Sequence, residues 1–516
     1  MERRERLLWA GSAAAALLFR ALAFFRYRFD ADEQHHAHVT WGWTDGLVQY
    51  RDYFDNHAPL FHMLLAPYLA LFGETARILL WLRIPMLALF AVVVWATYVV
   101  ARRLYDERVA RWAALLLAFF PPFFLKSLEF RTDNLWNALW MLAVVALVSG
   151  KRPLILGLIL GAAFAVSMKT TLLIATLLIA ALIARAFLKV EIRVKWLEGV
   201  AGFLVVPALL AIYFMAVGAF DELLYCNFTF NGNLAKTRNN LWVGRAFFPF
   251  LFAGVVWLAW RFRASQQHAW RYFFAVAIGV YAVTLSGFWI LISPRDFLPL
   301  MPLAAMFAAA VMTRMRKPVT AFASVVALCI VALWYYADRF ANKTAWHTTM
   351  MEQALRLSHP GEPVIDLKGE TIFRRRPFYY AFEYITRAQI AHGLIRDTVA
   401  ADVVRTRTYV AQADGPMWPP AARAFLSENF INLGRLRAAG QRLREDGTFS
   451  VAIPGEYVLV SERGEARGVL DGVPYSGARV LGAGVHRFEG EKDVAFLWAP
   501  AFRRGHSPFK LRDLEF

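Results

Sequence analysis

The chain has 516 residues, of which 58% are hydrophobic and 19% are charged, and its formal net charge is +18. Its mean hydropathy of +0.41 is typical of proteins with several membrane-spanning segments. Residues 1–337 carry a net +14, mostly in short loops between apolar segments, whereas residues 338–516 carry only +4. Basic short loops are a membrane-topology signal, so the charge does not indicate binding to nucleic acid.

The first apolar segment, residues 7–25, follows a charged N-terminus and resembles a secretory signal peptide. Arg20 interrupts this segment, and cleavage near Ala23 would leave the acidic cluster that follows without an anchoring helix. We therefore expect a retained first span with a cytoplasmic N-terminus.

Residues 29–38, directly after this first segment, contain three carboxylates and three imidazoles. Ionisable residues at the edge of a bilayer indicate a functional site. Asp30 and Glu33 also match the N-cap residue of a helix and its partner at position N3. In that case both have a structural role, and Asp32 is the carboxylate that remains available for a functional site.

Eleven apolar segments are candidates for spanning helices, which need about 20 residues. They are residues 7–25, 76–101, 109–125, 132–149, 153–168, 170–186, 197–218, 243–260, 272–292, 296–313 and 319–337. The expected fold class is an all-α polytopic membrane domain over residues 1–337, with about 11 transmembrane helices. The basic loops then lie inside, so residues 26–75 and everything after 338 are expected outside, in the periplasm or a lumen. We expect a bacterial inner membrane protein.

Two apolar stretches differ from the others. Residues 59–73 are only 15 long, and we expect them to lie along the outer interface rather than cross the membrane. Residues 153–184 contain one charged residue, Lys169. Two short helices that meet at residues 167–171 would hold Lys169 at the outer membrane edge, and unusually short apolar segments often mark a binding site.

The composition after residue 338 is that of a water-exposed domain. Residues 363–367 and 407–411 are predicted strands with a helical stretch between them, which indicates an α/β region over 338–449. Residues 450–516 contain short alternating runs separated by glycines, which is typical of a small all-β module.

Four features, in this order, resemble the GT-C glycosyltransferases, in particular the protein O-mannosyltransferase and lipid A aminoarabinose transferase group. They are the pair Asp32-Glu33, the cluster Asp55-Asn56-His57-Ala58-Pro59, the pair Arg131 and Asp133 at the start of a span, and Lys169 in a turn followed later by Arg295 in Ser293–Pro299. The resemblance covers residues 1–337. The family often has Lys-Gly-Pro where this chain has Lys169-Thr170-Thr171.

The resemblance implies a glycosyltransferase that moves a sugar from a polyprenyl phosphate, undecaprenyl or dolichyl, to an outer-face acceptor with inversion. The acceptor hydroxyl needs a base, and Asp32 is expected in that role with Glu33 or Asp55 orienting it. The leaving lipid phosphate needs fixed cations. The expected phosphate ligands are Lys169, Arg131 and Arg295, with Asp133 and His57 as further site candidates.

The expected partners are the lipid-linked donor, membrane lipids and an acceptor that is a lipid, a protein or a polysaccharide. Asp32, His35 and His36 share a helix face at i, i+3 and i+4 and could ligate a divalent metal ion as a cofactor. A solvated helix face explains the same histidines equally well. The alternative function is a secondary transporter with an outer-face ion or solute site, although the spans show no inverted repeat.

Overall fold

The computed structural model describes residues 3–189, 195–237, 246–263, 268–289 and 291–511. The chain divides into two compact units. The membrane unit comprises Met1–Glu33, Asn56–Leu65 and Leu80–Lys343, and the C-terminal unit comprises Gln34–Asp55, Ala66–Leu79 and Thr344–Phe516. The predicted membrane domain comprised residues 1–337 without interruption, whereas Gln34–Asp55 and Ala66–Leu79 cluster with the C-terminal region. Some predicted features lie partly outside the described residues. They are two of the basic loops that are expected inside, residues 185–195 and 261–271, and the start of the predicted span 243–260.

The described chain up to residue 336 is almost entirely helical. Its helices are α1 (Arg3–Arg26), α2 (Ala31–Thr44), α3 (Leu60–Ala70), α4 (Ile78–Leu104), α5 (Glu107–Phe119), α6 (Pro121–Lys126), α7 (Thr132–Val148), α8 (Pro153–Val166), α9 (Thr170–Leu188), α10 (Trp196–Ala216), α11 (Phe220–Leu224), α12 (Phe230–Asn233), α13 (Phe248–Arg261), α14 (Ala269–Phe288), α15 (Leu300–Met312) and α16 (Pro318–Tyr336). By length and composition, six helices in the described residues could cross a membrane, and five more are apolar but shorter, with 10–17 residues. The helical membrane fold class is confirmed, and each predicted span overlaps a helix.

Two helix boundaries determine where polar side chains emerge. Helix α8 ends at Val166 and α9 begins at Thr170, so the predicted break around Lys169 is confirmed. The segment 109–125, predicted as one span, is instead two helices, α5 and α6. Pro121 causes this break, because proline has no N–H to donate and favours the first position of a new helix.

Glycines allow α8 and α10 to pack backbone against backbone. A Cβ atom at Gly157 would clash with the carbonyl oxygen of Gly199, and one at Gly161 would clash with that of Phe203. On the opposite side, a Cβ at Gly202 would clash with the carbonyl oxygen of Leu154. Small residues in such positions let membrane helices approach closely.

The C-terminal unit contains two sheets. Its helices are α17 (Ala345–Leu357), α18 (Tyr384–Ala391), α19 (Val399–Arg405), α20 (Pro420–Asn429) and α21 (Ala499–Arg503). Its strands are β1 (Val364–Ile365), β2 (Val410–Ala411), β3 (Phe430–Asn432), β4 (Arg437–Arg442), β5 (Thr448–Val451), β6 (Gly455–Ser461), β7 (Gly464–Glu465), β8 (Gly468–Leu470), β9 (Val473–Tyr475), β10 (Arg479–Leu481), β11 (Gly484–Gly490) and β12 (Ala495–Trp498).

The larger sheet has the order β1-β2-β4-β12-β6-β10, with β3 beside β4 and β7 beside β6, and the smaller sheet has the order β5-β11-β8-β9. Strands β1 and β2 are parallel, as expected for an α/β region, and the other pairs are antiparallel. Because β4 pairs with β12, the larger sheet joins the predicted α/β region to the predicted β module.

The glycine packing between α8 and α10 gives a first prediction. Gly161→Ala should lower the thermal stability of the purified protein, because the added methyl group forces the two helices apart. Gly254→Ala in α13 is the matched control, since a Cβ there would meet no atom within 4 Å. Alanine in place of an unhindered helical glycine should stabilise by about 0.5–1 kcal/mol. Equal shifts in melting temperature for the two variants would contradict close α8–α10 packing.

Candidate active site

The N-terminus of α2 is held by its own acidic residues. The backbone N–H of Asp30 donates to Glu33 Oε1 at 2.9 Å, and the N–H of Asp32 donates to Asp30 Oδ1 at 3.1 Å. The predicted N-cap and N3 pairing of Asp30 and Glu33 is therefore confirmed. The side chain of Asp32 takes no part in it.

Glu33 is fully buried, and Arg83 from α4 neutralises it. The Nη2 atom of Arg83 lies 3.6 Å from Glu33 Oε1, and both side chains are 0% exposed. Glu33 Oε2 also accepts the backbone N–H of Phe130 at 3.0 Å. Burial raises the pKa of Glu33, and the Arg83 guanidinium opposes that effect. Glu33, predicted as a catalytic residue, thus lies where solvent does not reach it.

Arg83 also binds the C-terminal end of α1. It donates to the carbonyl oxygens of Phe24 at 2.7 Å, Tyr27 at 3.0 Å and Arg28 at 2.9 Å. The last carbonyl groups of a helix have no partner within the helix, and a cation there also interacts favourably with the helix dipole. One buried guanidinium therefore connects the end of α1 to the start of α2.

Arg131, just before α7, contacts three carboxylates. It pairs with Asp32, lies 3.2 Å from Asp30 Oδ1 and donates through Nε to Asp133 Oδ2 at 3.2 Å. Three residues predicted for the site, Arg131, Asp32 and Asp133, are thus brought together. Burial alone would raise the pKa of Asp30, but Arg295 and Arg131 outweigh burial and lower it.

Lys169, in the turn between α8 and α9, lies between two carboxylates. Its Nζ atom is 3.2 Å from Asp133 Oδ1, and it also pairs with Asp296. Burial would lower the pKa of Lys169, but Asp133 and Asp296 raise it, so the ammonium stays charged. Asp133 contacts both Lys169 and Arg131 and so links these two predicted phosphate ligands.

Arg295 completes the same network from the other side. Its Nη2 atom lies 2.8 Å from Asp30 Oδ2 and 2.8 Å from Glu129 Oε2. Glu129 is fully buried and also pairs with Lys126 at 2.7 Å. We call the residues joined by these contacts the charged network: Asp30, Asp32, Glu33, Arg83, Lys126, Glu129, Arg131, Asp133, Lys169, Arg295 and Asp296.

Exposure separates Asp32 from the other carboxylates of the charged network. The side chain of Asp32 is 31% exposed, compared with 16% for Asp30 and 7% for Asp133. Asp296 is 2% exposed, and Glu33 and Glu129 are fully buried. Asp32 is the carboxylate of this set that a substrate reaches most easily.

Asp55, predicted to orient Asp32, has its own partners within the C-terminal unit. Its Oδ1 atom lies 3.1 Å from His35 Nε2, and its Oδ2 accepts from Gln49 Nε2 at 2.7 Å. The Gln49 amide is itself fixed by the indole N–H of Trp43 at 2.8 Å. Asp55 is fully buried, and these contacts hold the loop before α3.

Imidazoles of the C-terminal unit hold the segment after β1. His35 Nδ1 donates to the carbonyl oxygen of Lys368 at 2.9 Å, and His38 Nδ1 to that of Ile372 at 2.7 Å. His347 Nε2 lies 3.2 Å from the carbonyl oxygen of Glu370. Burial lowers the pKa of His38 to about 3 and that of His347 to about 4, so both rings are neutral donors at ordinary pH.

The predicted metal ligands have other neighbours in the structure. Asp32 pairs with Arg131, His35 lies against Asp55, and the ring of His36 is 5.6 Å from that of His35. A metal ion at Asp32, His35 and His36 stays a prediction. His57, a further site candidate, is half-buried in the loop before α3.

Several members of the charged network were not predicted as site residues: Asp30, Arg83, Lys126, Glu129 and Asp296. Arg83 had a clear signal, since it is an ionisable residue inside the predicted span 76–101. Asp296 follows Arg295 directly, and Glu129 lies between Lys126 and Arg131 in the sequence. Their pairing depends on contacts between distant helices, which sequence spacing does not reveal.

Residues 56–217 match the family model for dolichyl-phosphate-mannose-protein mannosyltransferase, which is less than a third of the chain. The fold is similar to that of ArnT from Cupriavidus metallidurans bound to undecaprenyl phosphate, with a TM-score of 0.56, 13% identity and coverage of 81% of this chain and 94% of that one. The apo state of ArnT gives a TM-score of 0.54, 12% identity and coverage of 83% and 96%. No curated protein matches the chain by sequence.

These comparisons confirm the GT-C fold and the predicted resemblance, and they bear out glycosyltransferase as the enzyme class. The apolar helices identify an integral membrane protein.

The buried pair of Arg83 and Glu33 gives a second prediction. Arg83→Gln should lower the free energy of unfolding by about 3–5 kcal/mol, because it leaves Glu33 buried without a counter-charge. Adding Glu33→Gln to the Arg83→Gln variant should restore part of the lost free energy of unfolding. Arg111→Gln is the control, since Arg111 forms an exposed pair with Glu107 and should cost at most about 1 kcal/mol. Denaturant titration of the purified protein measures the three values, and equal losses for Arg83 and Arg111 would contradict the assignment.

Proposed function

We propose that this membrane protein with the GT-C glycosyltransferase fold transfers a sugar from a polyprenyl phosphate to an acceptor on the outer face of the membrane. One observation carries the proposal. Asp32, the most exposed carboxylate of the charged network, is held in the same network as the cations Arg131, Lys169 and Arg295. Such a site offers a base for an attacking hydroxyl and positive charge for a leaving phosphate.

The reaction would be a single displacement. The acceptor hydroxyl oxygen attacks the anomeric carbon and its proton passes to Asp32, while the bond from that carbon to the phosphate oxygen breaks. The phosphate oxygen keeps the bonding electron pair and leaves with added negative charge. Attack from the face opposite the leaving phosphate inverts the configuration, as in enzymes that use one carboxylate as a base.

Arg131 would serve both reacting groups. Its contact with Asp32 orients the carboxylate that would accept the proton. A guanidinium has five N–H donors, so Arg131 can also donate to a phosphate oxygen. A phosphate that draws Arg131 toward itself would weaken its contact with Asp32 and make the carboxylate more accessible to the acceptor hydroxyl.

Lys169 would bind the donor phosphate directly. Asp133 and Asp296 can engage two of the three N–H donors of its ammonium, and the third remains for a phosphate oxygen. Lys169 also precedes the first turn of α9, whose backbone N–H groups favour an anion. Arg295, paired with Asp30 and Glu129, supplies further positive charge nearby in the network.

The proposed orientation puts the N-terminus in the cytoplasm and the region after residue 338 outside, in a bacterial inner membrane. The basic loops between apolar helices support it, because Lys and Arg favour the cytoplasmic side. The acceptor is a lipid, a protein or a polysaccharide. Purified protein incubated with a panel of polyprenyl-phosphate sugars should release polyprenyl phosphate, and no release from any of them would contradict the proposal.

A third prediction tests the base. Asp32→Asn should slow sugar transfer by roughly 10²–10⁴-fold, because the amide cannot accept the proton of the acceptor hydroxyl. Donor binding should change little. Asp52→Asn is the control, since Asp52 is a 29% exposed carboxylate elsewhere in residues 26–75. Turnover within a factor of two of wild type in Asp32→Asn would exclude Asp32 as the base.

A fourth prediction tests the phosphate site. Lys169→Met should weaken donor binding about ten- to hundredfold, the size expected for loss of one hydrogen bond to a charged group. Lys169→Arg should recover part of the affinity. Lys195→Met, at a 77% exposed position, should bind the donor normally. Unchanged donor affinity in Lys169→Met would mean that Arg131 and Arg295, and not Lys169, bind the donor phosphate.

A further inference from the structure

A cavity within the C-terminal unit lies at the end of strand β2. It has a volume of about 510 Å³ and is lined by the loop 413–416 and by residues of three other elements. Strands β1 and β2 are parallel, and this loop leaves the carboxyl end of β2. Ligands of α/β sheets bind at that edge, and the volume is in the range of small-molecule sites.

Three arginines from different elements line this cavity: Arg387 of α18, Arg423 of α20 and Arg437 of β4. Arg387 Nη1 donates to the carbonyl oxygen of Pro416 at 3.3 Å, and Arg423 Nη2 donates to the same oxygen at 3.0 Å. Arg437 lies opposite Ala411, the last residue of β2, in the pairing of β2 with β4. Shared contacts with one loop thus bring the three guanidinium groups around one cavity.

The charges lining the cavity are not balanced. Asp414 is the one carboxylate among the lining residues, and Arg437 Nη2 donates to it at 2.5 Å. Asp414 is 71% exposed, so water screens much of its charge. The Nε atom of Arg437 is buried and has no hydrogen-bond acceptor within the described part of the chain. Arg387 and Arg423 are exposed as well, so water also weakens the repulsion among the guanidinium groups, and an anion between them would remove it.

We propose that this three-arginine pocket binds an oxyanion, a phosphate or carboxylate group, carried by an acidic acceptor. Guanidinium groups bind such groups through two parallel hydrogen bonds, which explains the use of arginine in preference to lysine. Such an acceptor would carry an acidic group in addition to the hydroxyl that receives the sugar. The acceptor role rests on the proposed transferase function, whereas oxyanion binding does not.

Inorganic phosphate, titrated into purified full-length protein by calorimetry, tests the pocket without donor or acceptor. The double variant Arg387→Gln/Arg423→Gln should bind phosphate at least tenfold more weakly than wild type, and Arg423→Lys should lose only part of the affinity. Arg405→Gln is the control, because Arg405 is 69% exposed on α19 and pairs with Asp402. Lys169→Met identifies any phosphate bound in the charged network. The proposal would be contradicted if the double variant bound phosphate as tightly as wild type. It would also be contradicted if only Lys169→Met lost phosphate affinity.

A transfer assay distinguishes an acceptor group from free phosphate. The KM for a phosphorylated lipid acceptor should be lower than for its unphosphorylated counterpart in wild type, and the double variant should lose this preference. Phosphate binding without any acceptor preference in wild type would overturn the acceptor role and leave a site for free phosphate. Phosphate binding at the pocket in a protein that releases no polyprenyl phosphate from any donor would instead reject the proposed transferase function.

Discussion

Charge taken out of water must be neutralised, and this requirement organises the membrane unit. An unpaired buried ion costs several kcal/mol, whereas a paired one with good hydrogen bonds is tolerated. Arg131 and Lys169 each contact at least two carboxylates, and Asp30 and Asp133 each contact at least two cations. Segments far apart in sequence therefore hold one another in place through alternating charges. Each predicted phosphate ligand already has anionic partners, so a phosphate that enters this network would accept from the N–H donors that the carboxylates leave or would displace a carboxylate.

The features that depend on local chemistry could be predicted from sequence. The break around Lys169 follows from a charge in an apolar stretch, and the cap formed by Asp30 and Glu33 follows from their spacing. The break between α5 and α6 at Pro121 also depends on local sequence. It was missed because residues 109–125 form an uninterrupted apolar run, which predicted a single span. The membership of residues 34–55 in the C-terminal unit depends on long-range packing, which no local pattern encodes.

The histidines show what composition alone leaves open. Three imidazoles in four residues predicted either metal ligands or a solvated helix face, and the burial of all three rings excludes the solvated face. His35 and His38 contact backbone carbonyl groups of the segment 368–372. A backbone carbonyl inside a protein needs a donor, and the neutral ring of His38 supplies one without adding charge. Which carbonyl each ring would meet depends on residues more than 300 positions away in sequence.

Asp32 and Glu33 are adjacent in sequence and belong together in the motif, yet the structure gives them different environments. Consecutive residues of an α-helix point about 100° apart, so they do not face the same neighbours. Glu33 points to Arg83 and is fully buried, whereas Asp32 points to Arg131 and is 31% exposed. Burial raises the pKa of Glu33, but a carboxylate without solvent access cannot meet an acceptor hydroxyl. The same turn of helix thus provides one buried carboxylate that fixes the backbone and another that is accessible to solvent, and their long-range partners determine which is which.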